Sequence, residues 1–211
     1  MSQIILIRPG CTEFDEQQRI QGNLDLPLSP GGRQQVERLL KELEHVKIDY
    51  LFSSPCEPAR STAEAISLAR GLNLREVEGL HNVNHGLWQG LKIEDIRRKH
   101  PKVFKQWQES PEAICPPEGE LLSEAIARVK KALEKPLKKK GNLAFVAADP
   151  LATIICAVVQ GLPLETIPAV CDGACGSWQY LKENDRKTPS GEFSLSDLLH
   201  VGLPRTAAVK N

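Results

Sequence analysis

The chain has 211 residues, with 27 basic and 27 acidic side chains and 41% hydrophobic residues. That composition suits one globular core, and a formal net charge of zero argues against nucleic acid or an anionic membrane as partner. The six cysteines are scattered and include no Cys-x-x-Cys pair, which excludes a disulfide scaffold; with no apolar run of membrane-spanning length and no leader-like stretch before Ile4, a reduced, cytoplasmic protein is expected.

The first predicted element is a buried strand over residues 3–8, built on the apolar run Ile4 to Ile7 and ending at Arg8-Pro9-Gly10. Residues 11–30 read as polar and irregular, with turn chemistry at Gly22-Asn23 and between Pro27 and Pro30. A helix follows: Ser29 caps it, Pro30 fits its first turn, and Val36, Leu39, Leu40 and Leu43 share one face. Ile48 to Phe52 is a second strand, running into Ser53-Ser54-Pro55. A helix over about 58–70 turns Ala63, Ile66 and Ala69 inward and stops at Gly71. Leu74 to Val77 is a short strand, and residues 79–91 are a loop. Two short helices, 92–99 and 101–109, are divided by Pro101, and a proline-rich loop covers Pro111 to Gly119. Glu120 to Leu137 is a long amphipathic helix, with Lys138-Lys139-Lys140 at the end where cations meet the helix dipole. Leu143 to Ala147 is a buried strand ending at Ala148-Asp149-Pro150, and Leu151 to Val159 is an apolar helix. Ile167 to Cys171 and Ser177 to Leu181 flank Asp172-Gly173, which predicts a hairpin at the sheet edge. The expected organisation is one domain over residues 1–185. A polar tail over 186–211 follows, in which Leu195, Leu198 and Leu199 could form a docking helix. Strands alternating with helices predict an α/β fold: a three-layer α/β/α sandwich with a mainly parallel central sheet and an antiparallel edge.

Ligands of open α/β sheets bind at the carboxyl ends of the strands. The three junctions after the predicted strands, Arg8-Pro9-Gly10, Ser53-Ser54-Pro55 and Ala148-Asp149-Pro150, should therefore converge. Arg8 arrives where an anion is handled, but the residue after it, Pro9, has no nucleophilic atom. Cys11 is the only soft nucleophile in this first loop, with Arg8 near enough to lower its pKa. Cysteine is also a frequent small core residue, and that reading is preferred. Cys171-x-x-x-Cys175 is a weak metal spacing without a nearby histidine, so neither a metal nor a cofactor is expected.

The junctions, together with Arg19-Ile20-Gln21-Gly22-Asn23-Leu24-Asp25-Leu26-Pro27-Leu28, resemble the histidine phosphatase superfamily, the phosphoglycerate mutase-like proteins. The family opens on Arg-His-Gly-x-Thr and continues with Arg-x-x-Gly-x-x-Asp-x-Pro-Leu; Arg8, Gly10, Thr12, Arg19, Gly22, Asp25, Pro27 and Leu28 match in order. Gly86-Leu87-Trp88-Gln89-Gly90 is similar to its Gly-x-Trp-Glu-Gly, and Pro116-Pro117-Glu118-Gly119-Glu120 to its Pro-Pro-Gly-Gly-Glu. The resemblance covers about residues 3–181 and implies a phosphoglycerate mutase-like fold. It also implies a remnant pocket of Arg8, Thr12, Asp15, Arg19, Gln21, Gly22, Asn82 and Asp149.

At four matched positions the family's chemistry is missing. Its phosphoryl-carrying histidine is replaced by Pro9, its second histidine by Asp149, its second arginine by Pro58 and its carboxylate acid by Asn82. An aspartate repels a phosphate oxygen, an amide does not titrate near neutrality, and proline cannot donate to an equatorial oxygen. Arg60, two positions past Pro58, should face away from the pocket on its helix. His81 and His85 flank Asn82 and read as loop-ordering, while Arg8 is expected to pair with Asp149. The leading expectation is a catalytically inactive member of the family that binds a protein partner or a small anionic ligand. Two alternatives stand beside it: a hydrolase with rewired chemistry using Cys11 or Asp149, and a structural partner such as a homodimer formed through the 167–181 edge.

Overall fold

Ile4, Ile5, Leu6 and Ile7 leave a strand no polar face, and such a run is stable only where both sides are covered. In the computed structural model, which describes residues 3–163 and 174–181, they form β1 (Ile4–Ile7) with every residue buried. The equally apolar β4 (Leu143–Val146) lies parallel to β1, with Ile4 opposite Leu143 and Ile7 opposite Val146. β2 (Tyr50–Ser53) is parallel to β4, and β3 (Leu74–Glu76) to β2. β5 (Trp178–Leu181) runs antiparallel on the other side of β1, so the order is β3-β2-β4-β1-β5.

The described helices are α1 (Glu13–Glu16), α2 (Pro30–Glu42), α3 (Ala59–Arg70), α4 (Ile93–Lys99), α5 (Pro101–Glu109), α6 (Leu122–Leu133) and α7 (Leu151–Gln160). Successive side chains of a strand point to opposite faces. Ile4, Leu6, Phe52 and Phe145 therefore pack with Val129 and Leu133 of α6 and Leu151 and Ile155 of α7. Ile5, Ile7, Leu51 and Val146 face the other way, against Leu39 of α2 and Ala63 and Ile66 of α3. The result is a three-layer α/β/α sandwich with a mainly parallel sheet and an antiparallel edge. A separate cluster of Ile20, Ile96, Phe104 and Trp107 holds α4 and α5 over the polar segment that follows β1.

Local chemistry sets the boundaries. Ser29 Oγ accepts the Gly32 N–H at 2.9 Å and Pro30 opens α2, as the sequence predicts. The helix expected over 120–137 is shorter, because Pro136 has no N–H to continue it, and Pro136–Lys138 form a 3-10 turn instead. β2 starts at Tyr50 rather than Ile48. α1 was not expected inside the irregular 11–30 stretch; Thr12 makes it possible by capping the segment through a reciprocal bond with Asp15. The Ser177–Leu181 half of the expected hairpin supplies β5, while residues 167–171 and the tail 186–211 lie outside the described residues. No described helix is long and apolar enough to cross a membrane.

Candidate active site

Arg8 leaves the carboxyl end of β1, where its backbone N–H donates to Ser177 O at 2.8 Å. Its guanidinium Nε donates to Asp149 Oδ2 at 2.7 Å, both side chains being about 15% exposed (14% and 15%). A mostly buried cation needs such a partner. Asp149 sits just after β4, and its other oxygen, Oδ1, accepts from Thr153 N–H at 3.1 Å and Thr153 Oγ1 at 2.8 Å. Both carboxylate oxygens are thus committed. The terminal nitrogens of Arg8 make no hydrogen bond among the described residues, so they remain available to an anion.

These side chains open on a cavity of about 150 Å³ at the carboxyl ends of the strands. Of the residues expected in the pocket, Arg8, Asp15, Arg19, Gln21, Gly22 and Asp149 line it, as do Pro9 and Pro58. Arg19 is anchored by donating to Gly90 O at 2.7 Å and to Gln17 Oε1 at 2.8 Å. Gln21 donates to Leu24 O at 3.3 Å and Glu57 O at 3.1 Å, which ties the segment after α1 to the start of α3.

Thr12 and Asn82 do not reach the wall, and each has an architectural task. The Thr12 backbone N–H and Oγ1 donate to Asp15 Oδ2 at 2.7 and 2.8 Å, while Oγ1 accepts from Asp15 N–H. Buried Asn82 donates to the Asp149 carbonyl at 3.2 Å and accepts from Val83 N–H and Leu151 N–H at 2.9 and 3.3 Å. It pins the loop to the β4–α7 junction. Arg60 forms an ion pair with Glu57 at 3.0 Å and does not line the cavity.

Two titratable wall residues were not anticipated as site residues. His85, held against the edge of Trp107 with ring centroids 6.1 Å apart, lines the cavity. Burial pushes its pKa below the ordinary value, so the imidazole is neutral, and the Val83 carbonyl at 3.2 Å from Nδ1 keeps the proton on that nitrogen. Cys175 lines the cavity as well and meets Cys11 from the other end of the chain. The two sulfurs lie within 4.8 Å, and their proximity lowers the Cys11 pKa and raises that of Cys175, with burial raising both. Gln35 fixes Cys11 further: Oε1 accepts the Cys11 N–H at 2.8 Å, and Nε2 donates to Sγ at 3.5 Å. Cys11 itself is not on the cavity wall. No local pattern announces this meeting, because the pairing of β5 with β1 creates it.

The profile of the histidine phosphatase superfamily (branch 1) matches residues 4–188. Phosphoserine phosphatase 1 of Hydrogenobacter thermophilus is 31% identical over 187 residues, covering 87% of this chain and 88% of that protein. Among solved structures, the mycobacterial glucosyl-3-phosphoglycerate phosphatase superposes with a TM-score of 0.78 at 25% identity, over 85% of this chain and 92% of that one. A structure of the same enzyme in complex with inorganic phosphate superposes with a TM-score of 0.75, also at 25% identity, over 85% and 89% of the two chains. These findings correct the expectation of a catalytically inactive, binding-only protein, because relatives matching most of the chain bear phosphatase names. Pro9, Pro58 and Asp149 stand on the same cavity wall, and Asn82 lies behind it. Arg8 and Arg19 line this cavity as well.

Proposed function

The chain belongs to the histidine phosphatase superfamily, and on that footing we propose that it hydrolyses a small phosphate monoester by rewired chemistry, without a phosphohistidine. The observation that carries the reading is Arg8, which spends only Nε on Asp149 and keeps its terminal nitrogens for a phosphoryl group in the cavity. Arg19 adds a second cation to the same wall, and Ile20, Ile93 and Trp107 give the organic half of a monoester an apolar surface. Phosphoryl transfer is catalysed largely by positioning and by charge stabilisation of this kind.

The attacking group is water. Pro9 offers no nucleophile. The oxygens of Asp149 are held by Arg8 and Thr153, which leaves neither free to attack phosphorus. The Cys11 sulfur is off the cavity wall. Substrates of the class named for the relatives, phosphoserine and phosphorylated glycerate derivatives, are the first to test.

The test is release of inorganic phosphate from phosphoserine and an aryl phosphate by the purified chain. Arg8→Ala is expected to lower turnover about 100–1000-fold, the loss typical of a donor aimed at developing charge. Arg19→Ala should weaken substrate binding. Equal release by the wild type and Arg8→Ala, or none from any monoester, contradicts the proposal.

A further inference from the structure

We propose that Cys11, Asp15 and Cys175 form a zinc site at the edge of the cavity, with one coordination position open for the water that attacks phosphorus. The two sulfurs and a carboxylate oxygen lie within 4.8 Å of one another. Tetrahedral zinc holds such donors roughly 3.4–3.8 Å apart, so the ion needs only a small contraction of the group. The donor set selects the metal: thiolates suit zinc, whereas magnesium and calcium take oxygen ligands.

Each donor is held by contacts that leave it able to bind. Gln35 grips Cys11 through both its backbone N–H and its sulfur. Thr12 occupies Asp15 Oδ2, and Asp15 Oδ1 makes no hydrogen bond among the described residues. The turn carrying Cys175 is fastened to the first loop by Gly176 N–H on Pro9 O at 2.7 Å and by Arg8 N–H on Ser177 O. A side chain at Gly176, where φ is +64°, would fall 2.7 Å from Gln35 Cβ, so glycine lets the turn approach the loop. Such supports around a donor set are the usual companions of metal ligands.

Three protein donors leave a tetrahedral ion one open position, the arrangement of catalytic rather than structural zinc. Asp15 and Cys175 both line the cavity that Arg8 and Arg19 line, so the ion would stand beside a bound phosphoryl group. The catalytic half of the inference rests on the phosphatase reading. The ion would lower the pKa of its bound water well below that of bulk water, and that water would give its proton to solvent. Its oxygen bonds to phosphorus as the bond from phosphorus to the alcohol oxygen breaks. The leaving alkoxide takes a proton from solvent, giving free alcohol and inorganic phosphate.

The test titrates the full chain, reduced and metal-free, with cobalt(II). One equivalent should produce a thiolate-to-cobalt charge-transfer band, displaced by zinc. Cys11→Ser and Cys175→Ser should each weaken binding more than about 100-fold, and Gln35→Ala about 10–100-fold. Asp15→Asn should keep the thiolate band and weaken binding at least about tenfold. Absence of the band in the reduced wild type, or an unchanged band in Cys11→Ser, overturns the site. So does a Cys11–Cys175 disulfide formed in air by a protein whose reduced form takes up no metal. Cobalt binding without phosphate release keeps the site and overturns the phosphatase reading; phosphate release that persists in the metal-free chain keeps that reading and overturns the role given to zinc.

Discussion

Pro9 lies in the middle of Arg8-Pro9-Gly10, one of the strand-end junctions that carry the family resemblance, and the chemistry of the pocket turns on what surrounds it. The pairing of Arg8 with Asp149 was legible before any coordinates, since a buried guanidinium at a strand end needs a carboxylate and Asp149 ends a neighbouring strand. His85 was legible only as a loop residue. Its burial comes from Trp107 and the α4–α5 cluster, which is remote in sequence. That burial has a consequence for stability. The folded-state pKa of His85 lies below its ordinary 6.5, so the unfolded chain binds the proton first as the pH falls. The contribution is complete above about 6.5 and is lost as the pH drops below it. The urea midpoint should therefore fall between about pH 7 and about pH 5.5, and His85→Gln should show a smaller fall over that range. Identical falls in the two proteins would remove His85 as a cause.

Among the elements, β1, β4 and the helices α2 and α3 could be read from apolar periodicity and caps, because their signals are local. α1 escaped notice because four residues carry no period; its signal was Thr12 three residues before Asp15. The contact between the first loop and α2 was likewise invisible, being a close approach of two backbones. A Cβ on Gly10 would stand 2.3 Å from the Gly32 carbonyl oxygen. Neither chain segment can yield like a flexible side chain, so Gly10→Ala should destabilise the protein by at least the ~1–3 kcal/mol of ordinary overpacking. Urea unfolding measures it. A change within about 0.5 kcal/mol, the range of a neutral surface substitution, would mean that the loop stands farther from α2.

In the whole molecule, the fold class was legible, and the first and third strand-end junctions meet in the cavity; for the activity, the relatives favour the alternative expectation of a rewired hydrolase over the leading one. Four substitutions at matched positions suggested that chemistry had been lost, whereas relatives matching most of the chain bear phosphatase names. The meeting of Cys11 with Cys175 depends on β5 lying antiparallel beside β1, a long-range pairing that no local spacing encodes. Under the proposed function the mechanism would differ from the one the resemblance implies in one respect: phosphorus would pass directly to water instead of through a residue in the loop after β1. In-line displacement inverts configuration at phosphorus once per step. Hydrolysis of a phosphorothioate monoester made chiral with two oxygen isotopes, in water carrying the third, counts the steps. Inversion is expected, from a single attack by water; retention, the mark of two displacements through a phosphorylated side chain, would contradict it.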